Sequence, residues 1–291
     1  MTGSLVWIIT GTSSGIGREL AFAALRRGDK VIATGRRRSF DKLDELQKAG
    51  ANTLELDVTA SPAELAQCAI KAIGMHGRVD VLVNNAGAYL TCGSAEELTP
   101  EETYDQFDVN VFGALNVARA FLPYMRKQKS GMIVWIGSLC GWQGAAALSM
   151  YAGVKHAIRG ISESMDMEVS PFGIRSINIE PGYFRTRFID PNNRSPYVSR
   201  IEDYKPTIGA MNDIFIALDG NQRGDTRILV EIIVDVVKGQ GVASGKLIPR
   251  SLQIGADCYD AVKQDLTERL QVLESWKDVI INTDLPVKTR L

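Results

Sequence analysis

Hydrophobic residues in this chain fall into short unbroken runs, which alternate with longer stretches where they recur every three or four positions. "LVWIIT" (5–10), "KVIATG" (30–35), "ANTLELDV" (51–58) and "VDVLVNNAG" (79–87) are runs of the first kind. They are short and rich in β-branched residues, as strands covered on both faces are. Between them, "GRELAFAALRRG" (17–28), "DKLDELQKAG" (41–50) and "PAELAQCAIKAIGMHG" (62–77) carry the spacing of amphipathic helices. The alternation continues with a long helix over 104–128, a fifth strand at 131–138, a helix over 151–173 and a sixth strand at 174–182. Strands that alternate with helices predict βαβ units. The expected fold class is therefore α/β, a Rossmann-type doubly wound parallel sheet of about seven strands with helices on both faces.

Regularity fails after Gly182. Residues 183–227 read as an irregular segment holding Tyr183, Phe184, Phe188, Tyr197 and Tyr204 among Pro191, Pro196 and Pro206. A helix at 228–241 and a last strand at 245–255 follow. From Cys258 to Ile281, the residues Val262, Leu266, Leu270, Leu273 and Trp276 are spaced to share one face of a helix. No repeat, low-complexity stretch or linker divides the chain, so a single domain over 1–291 is expected, with an irregular loop at 183–227 and a helical tail at 257–291.

Composition narrows the function classes. The chain has 291 residues, 45% of them hydrophobic, and its 33 Lys and Arg balance 34 Asp and Glu. The basic footprint of a nucleic-acid or anionic-membrane binder is missing. No run approaches the roughly 18 apolar residues of a membrane span. The chain opens on an apolar strand with no basic leader, which predicts no removable N-terminal address. Cys68, Cys92, Cys140 and Cys258 are scattered, and His76 and His156 are the only histidines. No disulfide framework or metal site is expected, and reduced thiols point to a cytoplasmic protein.

Two clusters carry chemistry. "TGTSSGIGREL" places Gly11, Gly15 and Gly17 between the first strand and the first helix. A glycine turn there lets the backbone approach a pyrophosphate, which then meets the unpaired N–H groups and positive dipole end of the helix. Ser13, Ser14 and Ile16 belong to the same turn. At the end of the second strand, an acidic residue would hold a ribose 2′-hydroxyl and an arginine would accept a 2′-phosphate. This chain has Arg36, Arg37 and Arg38 there, with no acidic residue before Asp41. Guanidinium forks suit phosphate oxygens, so the expected cofactor is NADP(H), held by Arg36 and Arg37, with Arg18 able to point the same way.

The second cluster is "SLCGWQGAAALSMYAGVKHA". Tyr151 and Lys155 are four apart at a helix start and share a face. Ser138 ends the fifth strand at the carboxyl edge of the sheet, where ligands of open α/β sheets bind. A nearby ammonium favours phenolate and makes a tyrosine a better proton donor near neutral pH. Ser138 can hold a carbonyl oxygen while Tyr151 protonates it.

The combination resembles the short-chain dehydrogenase/reductase family over nearly the whole chain. Its fingerprints occur in order: "TGTSSGIG", "LDV" at 56–58, "NNAG" at 84–87, Asn110 in "FDVN", Ser138, "YAGVK" and "PGYFRT" at 181–186. The "IEDYKPTIG" and "NQRGDTRI" stretches resemble a branch that includes hydroxysteroid-dehydrogenase-like oxidoreductases. The resemblance implies that Tyr151 is the general acid, that Lys155 lowers its pKa and binds the nicotinamide ribose, that Ser138 orients the substrate oxygen, and that Asn110 holds a water in a relay behind Lys155. It also implies that Asp57 and Val58 flank the adenine, that Asn85, Ala86 and Gly87 line the cofactor, that Asn84 steadies the sheet, that Pro181 and Gly182 border the site, and that Thr186 binds the carboxamide. In one departure, many NADP-preferring relatives carry a basic residue where this chain has Ser14.

The expected activity is NADPH-dependent reduction of a hydrophobic or aromatic ketone or aldehyde. The alternatives are oxidation of a secondary alcohol, a repurposed site doing cyclisation or epimerisation, or a cofactor-binding sensor without catalysis. The resemblance places the substrate pocket in the 183–227 loop, with Tyr89 and Trp142 as further candidate walls. It also implies a homo-oligomer, a dimer or tetramer built on the outer faces of the 103–128 and 151–170 helices.

Overall fold

The computed structural model describes residues 3–197 and 199–285. Residues 286–291 of the expected tail lie outside them.

Seven parallel strands form one sheet in the order β3-β2-β1-β4-β5-β6-β7. They are β1 Val6–Ile9, β2 Lys30–Gly35, β3 Asn52–Glu55, β4 Val81–Asn84, β5 Gly131–Ile136, β6 Ile174–Pro181 and β7 Ser251–Ile254. The first three strands grow outward in one direction. The chain then returns across β1 to lay down β4, which opens a crevice at the carboxyl ends of β1 and β4. Strand residues alternate between two apolar layers. Ile8, Ile32, Leu82 and Ile133 pack on one face, and Trp7, Ile9, Val31, Val83 and Val134 on the other.

Helices cover both faces. α1 Gly15–Arg26, α2 Asp44–Lys48 and α3 Pro62–His76 are the connections among the first four strands. α4 Pro100–Phe107 and α5 Gly113–Gln128 follow β4, and α6 Ser149–Val169 follows β5. α3, α5 and α6 cover one face. α1 and α2 cover the other, together with α8 Thr226–Lys238. The starts of α3 and α4 are written in the sequence. Ser61 with Glu64, and Thr99 with Glu102, make reciprocal capping boxes around a proline in the first turn.

The structure departs from the sequence reading at several element ends, and most in four places. The helix expected over 104–128 starts earlier, at Pro100, and a wider π-helical turn over Asp108–Phe112 interrupts it and carries Asn110. The 183–227 segment is not irregular throughout, because it contains α7 Lys205–Leu218. The last strand keeps only Ser251–Ile254 of the expected 245–255. The tail forms α9 Ala256–Ser275 and α10 Lys277–Ile280, but only Cys258 and Val262 of α9 are buried. Leu266, Leu270, Leu273 and Trp276 are 50–58% exposed. Periodicity shows that a face is apolar. It does not say how far along the helix the rest of the chain reaches.

Candidate active site

A cavity of about 430 Å³ runs along the carboxyl edge of the sheet. At one end it meets the β1–α1 turn. Gly11, Ser13, Ser14, Gly15 and Ile16 line it there. Gly11 has φ +70°, and a Cβ on it would sit 2.9 Å from the Cα of Ala86. The turn therefore needs glycine twice over. Gly17 lies off the cavity wall and serves close packing: a Cβ there would come 2.3 Å from Asn85 Nδ2 and 2.7 Å from the Gly11 carbonyl. Asn85 Nδ2 donates to the carbonyls of Thr10 at 2.7 Å and Gly11 at 3.1 Å. The residue that fastens the turn is thus Asn85, while the buried carboxamide of Asn84, expected to steady the sheet, has no partner among the described residues. α1 opens with no side-chain cap and no acidic residue in its first turn. Its N–H groups are left for an anion.

Past the end of β2, Arg36, Arg38 and Ser39 line the cavity. Arg37 begins a 3₁₀ turn, Arg37–Leu43, and stays off the wall. Arg38, and not Arg37, is therefore the second arginine at this end. Three consecutive residues that enter a tight turn cannot all face one way. Arg18 is also accounted for: its guanidinium pairs with Glu45 and donates to the Lys42 carbonyl at 3.1 Å. Burial, with the repulsion of Arg38 added, lowers the pKa of Arg36, and Asp57 opposes this. A half-desolvated cation beside a like charge is stabilised by a bound anion. Asp57 and Val58 line the same end.

At the other end stand Ser138, Tyr151 and Lys155. Ser138 caps a 3₁₀ turn, Leu139–Gly141, and its hydroxyl accepts the Cys140 N–H at 3.1 Å. Tyr151 meets the ring of Tyr89 edge-on at 5.6 Å and that of Phe188 at 5.4 Å. Burial raises its phenol pKa well above the ordinary range, with Ser138 pulling slightly the other way. Lys155 Nζ donates to the Ile136 carbonyl at 2.8 Å and lies 5.6 Å from the Tyr151 ring centre. The expected lowering of the tyrosine by Lys155 is not seen: burial sets the direction, with Cys140 adding to it. Asn110 lines the cavity, but its side chain already has three backbone bonds. It donates to Gln106 O at 2.8 Å and Ala88 O at 3.0 Å, and accepts the Ala88 N–H at 3.2 Å. A water relay would have to share Asn110 with these bonds.

Burial pushes Lys155 down to about 8 from 10.5. Below pH 8 the amine is charged in both folded and unfolded chains, and its desolvation opposes folding in full. Between pH 8 and 10.5 the unfolded chain holds the proton that the folded one has lost, so stability rises with pH. Lys155→Met is therefore expected to raise the thermal midpoint at pH 7 by several degrees, with the gain shrinking across that window. Paired melting curves of the two proteins check it. A variant less stable than the parent at pH 7 would mean that the bond to Ile136 outweighs desolvation.

Ala86, Gly87, Pro181, Gly182 and Thr186 also line the cavity. Of the loop aromatics, Tyr183, Phe184 and Phe188 line the cavity. Tyr204 instead bonds Glu96 at 2.6 Å on the surface. Tyr89 is a wall, as expected. Trp142 is not, because its indole turns back to Glu180. Leu90, Cys140, Leu148, Ile189, Phe215 and Gln222 also line the cavity, and sequence reading missed all six. For Phe215 a signal existed: Ile208 and Phe215, the two buried residues of α7, are seven apart. Among the described residues, no group of three or more His, Cys, Asp or Glu is placed to hold a metal ion. No described helix is long and apolar enough to cross a membrane.

Residues 5–196 match the family described as short chain dehydrogenase. The chain is 32% identical over 276 residues to oxidoreductase BOA17 of Botryotinia fuckeliana, covering 94% of this chain and 97% of that protein. A solved short-chain dehydrogenase from Streptomyces avermitilis superposes with a TM-score of 0.85 at 34% identity, over 98% of this chain and 100% of that one. An actinorhodin polyketide ketoreductase variant solved with NADPH gives a TM-score of 0.72 at 26% identity, over 89% and 99% of the two chains.

Proposed function

This chain belongs to the short-chain dehydrogenase/reductase family and is an oxidoreductase, and from that premise we propose that it is an NADPH-dependent reductase of hydrophobic or aromatic ketones or aldehydes. The observation that carries the reading is one continuous cavity with Arg36 and Arg38 at one end and Ser138, Tyr151 and Lys155 at the other. The glycine turn, the uncapped start of α1 and the two arginines fit a dinucleotide with an extra phosphate. The related ketoreductase solved with NADPH supports the same cofactor.

When bound, NADPH supplies the hydride. The protein supplies the rest. The Ser138 hydroxyl orients the substrate oxygen beside Tyr151. At neutral pH the Tyr151 phenol is protonated, as a phenol of ordinary pKa already is, and that is the form a reduction needs; burial raises its pKa further. As charge develops on the carbonyl oxygen, the Tyr151 proton moves onto it. Lys155, once charged, stabilises the phenolate left behind. Tyr89 packs against Phe188 and Phe215, and Tyr89 and Phe188 meet the Tyr151 ring, which makes an aromatic wall beside the tyrosine. Such a wall excludes water and favours apolar or aromatic substituents. Exposed Tyr104 and Phe112, on α4 and in the π-helical turn, support the homo-oligomer reading.

The test is NADPH consumption against a panel of ketones and aldehydes. Aryl and branched alkyl ketones should turn over faster than small polar ones, and Phe188→Ala should change their ranking by kcat/KM. If no carbonyl compound is consumed while NADPH binds, the reading fails.

A further inference from the structure

Glu180, on β6, is fully buried in this sheet and does not line the cavity. Its Oε2 accepts the Trp142 indole N–H at 2.7 Å and Gln253 Nε2 at 2.6 Å. Its Oε1 accepts Asn178 Nδ2 at 2.8 Å. The nearest cation is Arg159, 3.9 Å from Oε1. The guanidinium carbon of Arg159 lies over the Trp142 indole, 3.4 Å from its centre. The indole is thus fixed at its edge by a carboxylate and on its face by a cation.

A buried carboxylate held mainly by neutral donors contributes poorly to stability, and an apolar side chain of the same size would often serve the fold as well. Its geometry suggests another use. Trp142 follows the 3₁₀ turn Leu139–Gly141, which Ser138 caps. That turn is closed by Gly141 N–H to the Ser138 carbonyl at 2.9 Å and Trp142 N–H to the Leu139 carbonyl at 2.9 Å. At Gly141 the turn presses so close that a Cβ would lie 3.2 Å from the Lys155 carbonyl and 3.5 Å from Glu180 Oε1. The outer side of the turn is held as well. Arg269 of α9 donates to the Trp142 carbonyl at 3.3 Å, and Gln143 donates to the Ala261 carbonyl at 3.0 Å.

We propose that Glu180 and Arg159 are positioning residues that set Ser138 for the substrate oxygen by clamping Trp142. Neither touches the reacting atoms. They act by fixing the far end of a three-residue turn whose near end is the serine. The inference rests on the reductase reading for its kinetic consequence, but its geometric content stands apart from turnover.

The experiment is a double-mutant cycle with hydrogen exchange as a second readout. Glu180→Gln keeps the volume and replaces one acceptor oxygen with a donor, which faces N–H groups. Amide exchange at Cys140, Gly141 and Trp142 should quicken by about tenfold or more, with NADPH affinity held within about twofold. Turnover of a ketone should fall by about ten- to a hundredfold, the scale of a misplaced group. In a Ser138→Ala background the same substitution should cost less than about twofold, because the group it positions is already gone. Equal losses in both backgrounds would reduce Glu180 to general fold support and overturn the proposal. Unchanged exchange at 140–142 would overturn it as well. If Glu180→Gln does not fold, Trp142→Phe, which keeps an aromatic ring and removes the five-membered ring with its N–H, is read by the same outcomes. A parent protein that reduces no carbonyl would remove the reductase reading, while exchange at 140–142 would still decide the clamp.

Discussion

Tyr151→Phe is expected to lower kcat for carbonyl reduction by about a hundred- to ten-thousandfold, the usual contribution of a positioned proton donor. The ring would stay where it is, because its packing against Tyr89 and Phe188 involves no hydroxyl. NADPH affinity should therefore remain within about twofold, measured by fluorescence titration alongside single-turnover rates. A phenol of ordinary pKa is already protonated across the neutral range, and burial raises this one further. Rates of reduction limited by this proton should stay flat from pH 6 to 8 in the parent protein, apart from the titration of Lys155 near 8. A variant that kept a tenth or more of the parent turnover would place the proton donor elsewhere in the cavity.

Arg36→Ala should weaken NADPH binding by about ten- to a hundredfold, because one charge-assisted bond to a phosphate contributes about 1.5–3 kcal/mol. NADH carries no phosphate at that position, so its affinity should change by less than about threefold. Arg38→Ala should give a smaller loss of the same kind, and Arg37→Ala almost none, since Arg37 stays off the cavity wall. Calorimetric titration with both cofactors separates these outcomes. Equal weakening of NADPH and NADH, or a parent protein that prefers NADH, would show that the arginines serve the turn and not a ligand.

The order of these arginines shows where sequence reading stops. That a cationic cluster ends β2 is legible, because the strand and its glycine are legible. Which guanidinium faces the cavity depends on the hand of the 3₁₀ turn that follows, and no residue pattern encodes it. The order of strands and helices was legible for a similar reason, although the third, fourth and last strands were read several residues too long. Each buries a complete stripe, and the stripe is written in the side chains. α7 was lost because its neighbourhood of prolines and polar residues resembles a loop, and only Ile208 and Phe215 are buried along it. The tail was over-read in the opposite sense, with a clear stripe that little of the chain covers. The candidate site was legible where local chemistry defines it, at Gly11, Gly15, Ser138, Tyr151 and Lys155. It was not legible where distant segments meet, as at Leu148, Phe215 and Gln222, or where a side chain turns away, as Trp142 does toward Glu180.

The strand order also bears on how the chain is made. β1 is the first strand of this sheet to be synthesised, yet it ends in the middle of the sheet, between β2 and β4. Its partner β2 follows within one helix. Its other edge stays open until Val81–Asn84 has been synthesised. During that interval a strand as apolar as "VWII" exposes an unpaired edge, the kind of template on which nascent chains associate. β7 is equally short, but it lies at the rim and is synthesised after its one sheet neighbour, β6. Substitutions in β1 should therefore reduce the yield of folded protein during synthesis more than equal thermodynamic losses in β7, because one falls on a central strand and the other on an edge.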